Sequence, residues 1–274
     1  MIAQRKGVEI VAQTTQTMPK YLTIKQEAKQ NKASMYIDGE IVTDEWKDSD
    51  TSAAGFRDAL KSLGDVKTIN LHINSPGGSV FEGIAIYNML KQNSAHINVY
   101  VDGLAASISS VIAMSGDAIF MPSNAMMMIH NPWTMAVGNA SELRKQADDL
   151  GRITESRVQT YLAKAGDKLD KDTLKQLMDD ETWLTAQEAV DYGLADEVIG
   201  ANKSAASISK QFAQRYRHVP EQLIEQAKSP EGDSNKLTDD QRQKLLERTK
   251  TNLKAINLDL TNMKEDIRDE FLSN

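Results

Sequence analysis

The feature that most constrains this chain is an alternation between Lys67 and Met114. A β-rich run, Lys67–Ile73 (KTINLHI), ends at Asn74-Ser75-Pro76-Gly77-Gly78. A helical stretch follows over Phe81–Leu90, where Ile86 and Leu90 stand four apart with Met89 beside them. A second β-rich run, Ile97–Val101 (INVYV), is broken by Gly103, and a helix of small residues follows through Met114. Strands separated by a helix return to a sheet in the same direction. The order strand, helix, strand, helix therefore predicts a parallel crossover sheet and an α/β fold.

The flanking segments extend this plan. Ser34–Val42 (SMYIDGEIV) reads as a hairpin, because two β-rich runs flank the turn pair Asp38-Gly39. Ser52–Leu63 reads as a helix with Phe56 and Leu60 on one face. Ala118–Met121 and Met126–Ile129 read as two short strands. Ser141–Leu162 is a long amphipathic helix with Leu143, Ala147, Leu150, Ile153 and Tyr161 along its stripe. A short helix is expected over Leu184–Gly193, with Thr185 and Glu188 as a capping box and Gly193 as its stop.

The domain plan is then an N-terminal extension over 1–33, partly disordered, and a folded domain over 34–200. A polar linker covers 201–235, and an amphipathic helix covers 236–274. Met18 offers a second start, so either Met1 or Met18 opens the chain. In the last segment Leu246, Leu253, Leu260 and Ile267 recur every seven residues, giving roughly three heptads. Such a helix either pairs as a coiled coil or packs back on its own domain.

Composition excludes several function classes. A net charge of -7 gives no general basic footprint, so nucleic acid is not an expected partner. With no cysteine there can be no disulfide, no thiolate catalysis and no cysteine-ligated zinc, which fits a reducing cytoplasm. No run reaches the roughly 18–20 apolar residues of a membrane span, and no secretory h-region is evident. The expected place is the cytoplasm, with no membrane partner.

The chemistry-bearing residues lie at the breaks. Gly77 and Gly78 leave the backbone bare, so a reacting carbonyl can approach main-chain N–H groups. Ser107 follows a strand and a glycine turn amid small residues at a helix start, where developing negative charge is favoured. His130 ends an apolar run just before Pro132. A serine hydroxyl needs a base, and an imidazole base needs an acceptor to fix its tautomer. Acceptors are available in Asp179-Asp180-Glu181, just before Trp183. Each piece alone also has a plain structural reading: a turn, a helix cap, a packed histidine, a solvated acidic loop.

In order, INSPGG (Ile73–Gly78), GLAAS (Gly103–Ser107), MIHNP (Met128–Pro132) and TAQEAVDYGLAD (Thr185–Asp196) resemble the ClpP peptidase family, from about Ser34 to Val198. The resemblance implies a spiral of ββα units shared with crotonases, a projecting handle helix at Ser141–Leu162, and a homo-oligomeric ring acting on protein or peptide substrates. It implies Ser107 as nucleophile, His130 as general base, and the N–H groups of Gly78 and Ile108 as oxyanion hole. No cofactor or metal is implied. The acid of that family stands two residues before an aromatic, which here is Glu181, with Asp180 as the alternative. Glutamate is a departure from the family's aspartate, and Ser109 departs from its glycine. The stretches SPGGSVFEGIAIYNMLK, VYVDGLAASISSVIAMSGD and ETWLTAQEAVDYGLADEV are closest to the phage and prophage head maturation branch. That branch implies capsid or scaffold proteins as partners in the host cytoplasm.

The expected reaction is peptide hydrolysis through an acyl-enzyme, with kcat/KM climbing through roughly pH 6–7.5 as an ordinary imidazole deprotonates. The rivals are a crotonase-like acyl-coenzyme A enzyme, an inactive assembly scaffold, and a housekeeping ClpP with an ATP-driven unfoldase.

Overall fold

A computed structural model describes residues 25–27, 31–45, 47–201 and 213–221. The chain divides into two compact units, Met1–Glu225 and Gln226–Asn274. The second unit lies outside the described residues, and with it the heptad helix expected there.

The first unit is an α/β fold built on one sheet. Its path runs β1 (Lys25–Glu27), β2 (Lys32–Ile41), β3 (Thr68–Gly78), β4 (His96–Ala106), β5 (Ala118–Pro122) and β8 (Glu197–Ile199). All neighbours on this path are parallel except β1 and β2. The folded domain thus begins before Ser34, because β1 pairs with Lys32–Ser34. Off the path, β6 (Met126–Ile129) runs parallel to the far end of β4, and β7 (Thr182–Thr185) pairs antiparallel with β6.

Three strands run further than their local signals predict. Ser34–Val42 is not a hairpin. Lys32–Ile41 is one strand parallel to β3, with a register shift between Asp38 and Glu40. Gly39 takes φ +89° there, where an added Cβ would lie 2.6 Å from the Ser49 carbonyl oxygen. The Asp-Gly pair makes a bulge rather than a turn, because pairing with β3 along the whole strand outweighs the local preference. Likewise β3 continues through Pro76 to Gly78, and β4 continues through Gly103 to Ala106.

The alternation of side chains explains the core. Met35 and Ile37, then Ile69, Leu71 and Ile73, then Ile97, Val99 and Val101 are all buried on one face. The intervening Tyr36, His72, Tyr100 and Phe120 stack in a row across four strands, with centroids 4.7–5.0 Å apart. His72 also holds Asp102, Nδ1 to Oδ2 being 2.9 Å, so this histidine belongs to the sheet face.

The helices start where their caps stand. Ser52 accepts from the Gly55 N–H and opens α1 (Ala53–Ser62), which buries Phe56 and Ala59. The crossovers are α2 (Val80–Lys91) and α3 (Ile108–Ala113). Asn139 and Glu142 form a capping box at the start of α4 (Ala140–Ala165). Only its second half is buried, at Arg157, Val158, Tyr161 and Ala165, while Leu143 is 43% exposed. After α5 (Lys171–Asp179), the expected capping box of Thr185 and Glu188 opens α6 (Ala186–Asp191). No helix among the described residues is long and apolar enough to cross a membrane.

Candidate active site

Four pieces of chain meet where β3, β4 and β6 end. Strand β4 finishes at Ala106 and α3 begins at Ile108, leaving Ser107 as the single residue that turns the chain. Its φ of +57° is a region that L side chains rarely occupy, at a cost of about 1–3 kcal/mol. The Ser107 N–H donates to the Met128 carbonyl (2.9 Å), which ties the turn to β6. Two residues past Met128, β6 has ended and projects His130. Ser107 Oγ and His130 Nε2 are 2.7 Å apart, and both residues are buried at 7% exposure.

The glycines make this turn fit. A Cβ on Gly77 would stand 2.6 Å from the Ala106 oxygen and 2.7 Å from Ser107 Cβ. One on Gly78 would fall 2.0 Å from the Ile41 oxygen. Both have positive φ. Hydroxyls lock the arrangement: Ser75 Oγ donates to the Gly39 oxygen, and Ser109 Oγ reaches the carbonyls of Ser75 and Ala106. Ser110 Oγ donates to the Ser107 oxygen and also meets the Tyr161 hydroxyl, 2.7 Å away.

Ser107, His130 and Gly78 line a cavity of about 400 Å³, with Val80, Trp133 and Arg157 on its walls. Ile108, the other expected donor, opens α3, where a first amide has no intrahelical partner.

The acids are placed otherwise than expected. Glu181 is buried at 6% exposure with φ +52°. Its Oε1 accepts the backbone N–H groups of Arg217 (2.6 Å) and His218 (2.9 Å). Asp180 Oδ2 accepts from Gln176 Nε2. Neither carboxylate is hydrogen-bonded to His130 in this arrangement. A longer side chain than aspartate, on a left-handed residue, reaches the segment beyond instead.

Burial pulls the His130 imidazole down to about 4, helped by the positive charges of Arg157 and then Arg217. The rise in activity expected through pH 6–7.5 therefore does not belong to this arrangement of the site.

Residues 41–202 match the Clp protease family. This chain belongs to that family. A relative, the ATP-dependent Clp protease proteolytic subunit of Pleurastrum terricola, is 35% identical over 142 residues, covering 51% of this chain and 71% of the relative. A Clp protease is a serine-type peptidase, and the buried serine–histidine contact is the feature of this chain that such chemistry requires.

Two residues beside the serine escaped the sequence reading. Arg157 is 2% exposed, and its Nη1 donates to the His130 carbonyl oxygen at 3.4 Å. Its Nε has no hydrogen-bond partner among the described residues. The signal was present, since Arg157 falls four residues from both Ile153 and Tyr161 on the apolar stripe of α4. Tyr216 is the other. It lies in the segment read as polar linker, where one aromatic between Arg215 and Arg217 gave little warning.

Proposed function

We propose that this Clp protease cleaves peptide bonds with Ser107 as nucleophile and His130 as general base. The observation that carries the reading is the 2.7 Å contact from Ser107 Oγ to His130 Nε2, on a strained turn facing a cavity. Nε2 takes the hydroxyl proton as Oγ attacks the scissile carbonyl. The N–H groups of Gly78 and Ile108 stabilise the oxyanion. The imidazolium then protonates the leaving amine, and water hydrolyses the acyl-enzyme with the histidine again as base. Glu181, rather than Asp180, orients the imidazole once its carboxylate is free of Arg217 and His218. Protease assays on an unfolded protein substrate test this: wild type cleaves it, and Ser107→Ala and His130→Ala do not.

The substrates we propose are capsid or scaffold proteins, cut during prohead assembly by a homo-oligomeric ring in the host cytoplasm. The support is the run of motifs from SPGGSVFEGIAIYNMLK to ETWLTAQEAVDYGLADEV. The exposed Trp133, Met135, Val137 and Leu143 supply apolar surface for a neighbouring subunit. A capsid protein cleaved by wild type and left intact by Ser107→Ala is the expected result.

A second reading has one observation behind it. The relative at 35% identity is by name an ATP-dependent subunit, which points to an ATP-driven unfoldase as partner. Degradation of a folded substrate only when an unfoldase and ATP are added would favour it.

A further inference from the structure

Residues 213–221 return to the peptidase unit from beyond its last strand and lie on the Ser107–His130 pair. The Tyr216 hydroxyl donates to the Pro76 carbonyl oxygen at 2.5 Å, and Tyr216 lines the same cavity as Ser107 and His130. Its ring stands edge-on to His130 (centroids 5.5 Å) and to Trp183 (5.9 Å). Tyr216 and Val219 pack on an apolar patch made by Leu104, Ala106 and Met128. Arg215 pairs with Glu40 at 3.7 Å. The backbone N–H groups of Arg217 and His218 occupy Glu181.

The tyrosine is anchored by its hydroxyl on Pro76, and its ring stands edge-on against the imidazole that meets Ser107 Oγ. An aromatic side chain therefore takes up room beside the pair that a substrate peptide would need. The acid meant to orient that base is meanwhile spent on two amides. Buried carboxylates favour such charge-assisted bonds, so the segment competes directly with the imidazole for Glu181.

Resting on the serine–histidine reading above, we propose that Ala213–Glu221 is a tethered occupant of the active-site face. It covers Ser107 and sequesters Glu181. A peptide substrate binds productively only in chains where the segment has left its seat. The seat fits an aromatic residue flanked by basic ones: an apolar patch and a backbone acceptor take Tyr216, and Glu40 takes Arg215.

The occupied and open forms are two populations. Weakening the segment's contacts shifts the balance toward the open form without touching the nucleophile or base. The test is the rate at which a fluorophosphonate labels Ser107 in full-length chains. Tyr216→Ala removes the cover. Arg217→Pro with His218→Pro deletes the two N–H donors and keeps the Tyr216 side chain; labelling is read at pH 8, where His130 is neutral with or without the Arg217 charge. Both chains should label about tenfold faster than wild type or more, the factor that a modest shift of such a balance gives. Tyr216→Phe, which keeps the ring and loses the hydroxyl, should fall between them and wild type. Equal or slower labelling in variants whose near-ultraviolet circular dichroism matches wild type overturns the proposal and makes the segment a supporting part of the site. Absence of labelling in every chain, wild type included, sinks the serine reading and this inference with it.

Discussion

A methyl group on Gly77 would lie 2.7 Å from the Cβ of Ser107. The bare glycine thus leaves the room that the Ser107 side chain occupies, and the placement of Oγ depends on a residue 30 positions earlier in the chain. Gly77 also has φ +93°, which an L side chain resists. Gly77→Ala should push the serine turn outward and lower kcat/KM by about 100-fold, the loss that a displacement of about 1 Å can cause at a reacting atom. Peptidase assays beside a thermal melt separate this from unfolding. A variant with near-wild-type kcat/KM would show that the glycine does not set the serine's position.

Arg157 adds to what burial does to the acidity of the base. After burial, its charge is the largest cause that holds His130 down to about 4. Arg157→Met removes that charge at similar length, so the imidazolium becomes easier to form and the pKa rises toward 6.5. The acid limb of the pH–rate profile should move to higher pH. At pH 5 the variant should react more slowly relative to its own plateau than wild type does. Replacing an uncompensated buried charge by an apolar side chain should leave stability unchanged or raised. A pH series of Ser107 labelling rates for the two proteins is the check.

The same imidazole makes folding depend on pH. Above pH 6.5 His130 is neutral in both states. Between pH 6.5 and about 4 the unfolded chain takes up a proton that the folded chain refuses, so stability falls as pH drops through that window. Below about 4 both states are protonated and the loss levels off. Urea midpoints at pH 7 and pH 4.5 should differ more in wild type than in His130→Gln, which has no such proton. Equal differences would remove His130 as the source.

Much of the fold was legible because it depended on local periodicity. The crossover order, the helix after Ser52, the capping box of Thr185 and Glu188, and the strand Met126–Ile129 all follow from residues close in sequence. The errors came where a glycine signals a break locally and distant pairing decides otherwise. Asp38-Gly39 reads as a hairpin turn, yet β3 captures both sides of it in one parallel strand. Gly103 reads as a stop, yet β4 has β6 to pair with beyond it.

The site divides in the same way. Ser107 and His130 stood out only through the order of the four motifs that resemble the ClpP family, since a serine at a helix start and a histidine at a strand end each also have a plain structural reading. The partner of Glu181 could not be picked out, because it is a pair of backbone N–H groups 36 and 37 residues away, which carry no side-chain signature. Ser109, a departure from the family's glycine, turns out to bond two carbonyls that hold α3 against β3 and β4.

The account stands or falls on whether Ser107 is activated by His130. Fluorophosphonate labelling of wild type, Ser107→Ala and His130→Ala, with the modified residue located by mass spectrometry, measures this directly. The account predicts a single adduct on Ser107, fluoride having left phosphorus. It should be absent in Ser107→Ala, strongly reduced in His130→Ala, and faster in the Tyr216→Ala background. An adduct on another serine, or undiminished labelling of Ser107 without His130, would contradict it.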